Sequence, residues 1–132
     1  MKPKTRVKGN IIAIPGWVGS HYMIQFLSYF ASEGYFVHTF DLTGRDYSKN
    51  YQKGPILYQH LKDVATIFQK IDTSLPTFVY AHCYGALLIL VFLILNPDVK
   101  ISGVILSSPL ISLDKVRNYS FFKSLIFVHL LG

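Results

Sequence analysis

The chain has one cysteine, Cys83, which excludes an internal disulfide and a cysteine-rich metal site. That usage suits a reducing compartment, so a cytoplasmic protein with no metal and no cofactor is expected. Acidic residues are scarce, with 7 Asp and Glu against 13 Lys and Arg, a net charge of +6. The excess is not one block: Lys2, Lys4, Arg6 and Lys8 form a basic N-terminal arm and the rest is scattered. A solvated terminus accounts for such an arm, so no nucleic-acid partner is expected, and membrane contact would be peripheral. A membrane-length hydrophobic run is also missing. Ala86–Leu95 is shorter than the roughly 20 apolar residues that span a bilayer. Ile11–Ile14 is too short for the core of a secretion signal, and Pro15-Gly16 breaks it. There is no internal repeat, low-complexity tract or linker, and 132 residues allow at most one domain.

What remains is a chain that is 51% hydrophobic, with strand and helix signals in alternation. Asn10–Ile14 is a short β-branched run closed by Pro15-Gly16. Ser20 is the expected N-cap of a helix over about His21–Glu33, with Met23, Phe26, Leu27 and Phe30 on one face and Gly34 as its stop. Tyr35–Phe40 reads as a second strand, followed by a polar loop, Asp41–Lys53. Gly54-Pro55 opens a helix whose apolar stripe is Leu57, Leu61, Val64, Ile67, Phe68 and Ile71. Ile101–Ser107 is a later strand. Strands separated by helices predict an α/β three-layer sandwich around a parallel sheet. Ligands of such sheets bind outside the carboxyl ends of the strands, where the turns 15–20, 41–48 and 81–85 meet.

The most informative stretch is Thr77–Leu95, TFVYAHCYGALLILVFLIL. A strand, a knot of mostly small residues (Ala81-His82-Cys83-Tyr84-Gly85) and an apolar helix would set Cys83 at the tip of a sharp bend. Bulk at Ala81 or Gly85 would clash where the flanking backbones approach. A sulfur at that tip would sit over a helix N-terminus, whose dipole favours a thiolate. Two plainer readings compete: a membrane helix, against which the polar knot and Asn96-Pro97 argue, and a buried, inert cysteine.

The knot resembles the nucleophile elbow G-x-S-x-G of α/β-hydrolases, with Ala81 for the first Gly and Cys83 for the Ser. Pro15-Gly16-Trp17 after a strand, Gly34-Tyr35-Phe36-Val37, and Asp41-Leu42-Thr43-Gly44-Arg45-Asp46-Tyr47-Ser48 precede it in the same order as in that superfamily. The segments are similar to the monoacylglycerol lipase/lysophospholipase and serine aminopeptidase S33-like branch, where they run H-G-x, G-Y-x-V, D-x-R-G-H-G-x-S and G-H-S-M-G. Ile101–Leu110 resembles the strand after the nucleophile helix, and the likeness covers about residues 10–113.

The resemblance implies Cys83 as nucleophile, with backbone N–H groups of Trp17 and Tyr84 as the oxyanion hole and Ala81 and Gly85 as the small elbow residues. Two such donors are commonly worth a few kcal/mol each. His82 is expected to pack away from the site, and His21, His38, His60 and His129 lack metal-type spacing. Asp41 and Ser48 are expected to shape their loop. Cys stands for Ser, Pro15 for the usual His, and Arg45-Asp46 for His-Gly. In the superfamily the triad acid and His come later in the sequence.

The expectation is therefore the N-terminal part of a hydrolase over 1–111, a truncated fold of about four core strands, then the start of a helical cap-like segment over 112–132. That segment carries Phe121, Phe122, Leu125, Ile126 and Val128 as its apolar face. The strand order would be second, first, third, fourth, with the last edge open to self-association or to a separately encoded C-terminal remainder. Three functions stay open: hydrolysis of carboxylic, lipid-type esters, acyl transfer of the polyester-synthase kind, or a catalytically inactive fragment.

Overall fold

The structure, a computed structural model, describes residues 1, 6–45 and 56–110 and the backbone of 127–129. Asp46, Tyr47, Ser48, Gly54 and Pro55 lie outside the described residues, as do Phe121, Phe122, Leu125 and Ile126.

Strand β1, Gly9–Ile14, is buried at all six positions, as a β-branched run covered on both faces must be. Its alternate residues serve two cores. Ile11 and Ala13 face Met23, Leu27, Ala31 and Val37. Ile12 and Ile14 join Leu42, Val64, Leu88, Ile89 and Phe92 on the other side. The period-2 alternation of a strand thus sends successive side chains of β1 to opposite layers. Helix α1, Ile24–Ser32, fills the first layer, entered through a 3-10 turn at His21–Met23. Helices α2, Ile56–Lys70, and α3, Tyr84–Leu95, fill the second. The three-layer α/β sandwich is as the sequence predicts.

Strand β2 is Tyr35–Thr39, β3 is Thr77–His82 and β4 is Gly103–Ser107, all parallel in the order β2-β1-β3-β4. Connections from β1 lead first to one side and then, through β3, to the other, so the order reverses between β1 and β3. That reversal opens a crevice at their carboxyl ends.

The open edge expected beyond β4 is corrected. Phe127–His129 form β5, which pairs antiparallel with Val104–Leu106. Val128, expected on a helical cap, therefore lies in a strand. Ser20 stands at the N-cap position but makes no side-chain cap: its backbone is already helical (φ −96°, ψ −17°) and not in the extended region a capping residue typically adopts, and its N–H and hydroxyl both donate to Asp41 Oδ1, at 2.9 and 2.8 Å. Two stripe residues also differ from expectation. Phe26 is 45% exposed and packs only its ring against Phe30 and Tyr80, and Leu57 is 39% exposed in the first turn of α2.

Candidate active site at the beta1–beta3 crevice

Strand β3 ends at His82 and α3 begins at Tyr84, which leaves Cys83 alone to make the bend. It does so at φ 51°, ψ −116°, a conformation that side-chain-bearing residues rarely adopt. Such strain persists only when the surroundings over-determine it. Here they do. The Cys83 N–H donates to the Ser107 carbonyl at 2.9 Å, and the Cys83 carbonyl accepts from the N–H groups of Ala86 and Leu110, each at 3.1 Å. One residue is thus held by its own helix, by β4 and by the loop after β4.

The bend is also packed too closely for bulk. A Cβ on Gly85 would come within 2.5 Å of the carbonyl oxygens of Ile14 and Pro15, and Ala81 is fully buried. A Cβ on Gly16 would stand 3.2 Å from Cys83 Cβ, so the loop after β1 lies directly against the bend. Gly16, Trp17, Val18, Tyr22, His82 and Cys83 line a pocket of about 330 Å³, and Cys83 is a partly buried free cysteine within it.

Tyr84 opens α3, so its N–H has no partner within the helix. Among the described residues, no hydrogen bond uses the N–H of Trp17; that of its neighbour Gly16 donates to the Tyr22 hydroxyl at 3.3 Å. The indole of Trp17 meets the Tyr84 ring edge-on at 5.2 Å. The residues named from the sequence (Trp17, Ala81, Cys83, Tyr84 and Gly85) therefore gather around one crevice.

His82 departs from expectation. It lines the same pocket as Cys83 instead of packing away from it. Its Nδ1 lies 3.4 Å from the Ser107 hydroxyl and its ring meets Tyr22 edge-on. The loop after β1 folds over both residues, so their divergent directions still share one cavity. Burial holds the His82 ring below its ordinary pKa, favouring the neutral form. Burial likewise pushes the Tyr22 hydroxyl up, against the opposing hydrogen bond from Gly16. Asp41 shapes its loop, as expected, through Ser20.

Two contributors were not visible as site residues in the sequence. Tyr22 reaches back from the 3-10 turn to Gly16. His60 is completely buried on α2, with Nε2 3.0 Å from the Thr43 carbonyl and Nδ1 3.1 Å from the Tyr84 hydroxyl. The available signal was its phase: His60 sits four residues before Val64, on the buried stripe of an otherwise apolar face.

A family model described as serine aminopeptidase, S33, matches residues 5–130. An uncharacterized abhydrolase domain-containing protein of Dictyostelium discoideum is 34% identical over 113 residues, which are 83% of this chain and 12% of that protein. Among solved structures, a thermostable carboxyl esterase from Bacillus coagulans superposes with a TM-score of 0.68 at 20% identity, over 80% of this chain and 37% of its own. A monoacylglycerol lipase from Paleococcus ferrophilus gives a TM-score of 0.67 at 24% identity, over 83% of this chain and 42% of its own. The chain thus spans less than half the length of each of these relatives. With β1, β3 and the crevice between them arranged as described, and the match running over nearly the whole sequence, the chain belongs to the serine aminopeptidase S33 family of α/β-hydrolases.

Proposed function

We propose that the protein acts on carboxylic esters of lipid or acylglycerol type through an acyl-enzyme on Cys83. The observation that carries this reading is the positive φ of Cys83 at a strand-to-helix bend packed against Gly16. A thiol in that setting is presented to the pocket instead of being folded into the core. Cys83 Sγ, as thiolate, would add to the ester carbonyl carbon. The resulting oxyanion would be held by the N–H groups of Trp17 and Tyr84. The bond to the alcohol oxygen then breaks, the alkoxide takes a proton from water and leaves as the alcohol, and a thioester remains for a further water to cleave. The triad acid and His would come from outside residues 1–132, so these residues alone are expected to be acylated and to turn over weakly.

An apolar acyl group suits the pocket. Trp17, Val18 and Tyr22 are 44, 68 and 44% exposed around it, an apolar surface that would also favour peripheral contact with lipid. Family relatives with esterase and lipase names add support for ester chemistry. The cysteine favours a second reading, acyl transfer, since a thioester is readily passed to an acceptor alcohol. A catalytically inactive fold is the third. A further partner of the proposal is a separately supplied remainder of the fold; self-association through an open β4 edge loses its ground, because β5 occupies that edge.

The test is labelling of Cys83 by iodoacetamide and by a fluorophosphonate under native conditions, followed by p-nitrophenyl ester turnover with and without an acceptor alcohol. Labelling with ester cleavage supports the enzyme, and acceleration by the alcohol selects transfer. An unlabelled native Cys83 removes both enzymatic readings.

A further inference from the structure

Two backbone donors on separate loops make an oxyanion hole only if their spacing is held to a fraction of an ångström. Trp17 follows β1 and Tyr84 follows β3, and one buried side chain touches both. His60 Nε2 faces the Thr43 carbonyl, which can only accept, so Nε2 carries the proton. Its Nδ1 is left as an acceptor for the hydrogen bond donated by the Tyr84 hydroxyl at 3.1 Å. The same imidazole meets the Trp17 indole edge-on at 6.2 Å.

This bracket is itself anchored. Asp63, one turn further along α2, accepts from Thr43 N–H at 2.7 Å and from Thr43 Oγ1 at 2.8 Å, so α2 grips the loop behind His60 at two points. On the outer side, the Arg45 guanidinium lies 3.4 Å from the centre of the Trp17 ring. Burial pushes the Tyr84 hydroxyl pKa up, the Arg45 charge opposing it, which keeps that hydroxyl protonated as a donor.

We propose that His60 is a positioning residue that sets the gap between the Trp17 and Tyr84 amides by holding both side chains from behind. The proposal rests on the acyl-enzyme reading above and deepens it. Loss of the bracket should weaken oxyanion stabilisation without touching the reactivity of the sulfur.

The test compares two reactions of Cys83 in the full chain: acylation by p-nitrophenyl acetate, which passes through an oxyanion, and alkylation by iodoacetamide, which does not. In Tyr84→Phe, which removes only the hydroxyl, and in His60→Phe, acylation should fall about tenfold or more while alkylation stays within about twofold. His60→Gln, which keeps a donor and an acceptor, should recover part of the loss. Trp17 is the chain's single tryptophan, so its fluorescence should become more quenchable by acrylamide in both phenylalanine variants. Should His60→Phe fail to fold, Tyr84→Phe decides alone. Equal loss of acylation and alkylation, or no loss in a variant with native circular dichroism, overturns the positioning role. Wild-type Cys83 that is alkylated but never acylated overturns the acyl-enzyme reading and this role with it.

Discussion

Cys83 is strained and its neighbour two residues on is confined, and opposite substitutions expose the two effects. Replacing Cys83 with glycine removes the side chain that resents φ 51°. Strain of about 1–3 kcal/mol is relieved, and the greater freedom of glycine in the unfolded chain offsets part of it. Cys83→Gly should therefore raise stability by about 1 kcal/mol, read as a higher urea midpoint, while abolishing thiol labelling. Gly85→Ala does the reverse. Its methyl would meet the carbonyl oxygens of Ile14, the last residue of β1, and of Pro15 just after it, each at 2.5 Å, and neither can yield without moving the end of the strand. A loss of about 3 kcal/mol is expected in the same denaturation experiment. Steric arguments made both small positions legible in the sequence. They could not reveal His82 in the pocket, because that depends on where a loop 60-odd residues earlier comes to rest (Trp17 and Val18 above Cys83).

At the level of elements, hydrophobic phasing located the strands and helices well, and polar residues in phase with it were the part it missed. Asn10 is one. It lies in the buried strand β1, and its side-chain amide donates to the Asp72 carbonyl at 2.8 Å and to Thr77 Oγ1 at 3.3 Å. Its Oδ1 accepts from His38 Nε2 at 3.2 Å. One side chain thus fastens β1 to β2, to the start of β3 and to the turn after α2. Asn10→Ala would leave buried partners without a bond and should cost about 2–3 kcal/mol, measured as a fall in the denaturation midpoint with an unchanged slope. His60 on α2 is the same kind of residue. Apolar periodicity predicts only which face is buried, whereas a polar group on that face has a role fixed by whatever hydroxyl or carbonyl meets it across the core. Those partners, Tyr84 and Thr43, are 24 and 17 residues away in the sequence. Leu57 shows the converse: phase puts it on the stripe, yet in the first turn of α2 it stays 39% exposed.

For the molecule as a whole, acidity is the clearest lever. Burial lowers the proton affinity of His38 and His82, and for His38 the N-terminal ammonium lowers it further. The unfolded chain, with histidines near 6.5, takes up protons before the folded chain does as the pH falls. Stability from these two rings is complete above that value and drains below it, through the folded rings' own lower pKa values. Urea midpoints should decline on going from about pH 7.5 to about pH 5.5, and His82→Asn should flatten the decline. The overall plan was the most legible feature: alternating elements predict a parallel sheet between helical layers, and the strand order β2-β1-β3-β4 is the one the resemblance to α/β-hydrolases implies. The strand at 127–129 was not, since its pairing with β4 is set by an edge that only the assembled sheet presents.

The candidate crevice hangs from β1 and β3, which are hydrogen-bonded to each other and flanked on both sides, by β2 and by β4. Sheets fray from their margins inward, and local openings start where protection is least. Amide protons of Ile12–Ile14 and Val79–Ala81 should consequently outlast those of β2 and β5 in deuterated buffer. A partly opened chain that has shed its outer strands would still carry its thiol and its two loops in register.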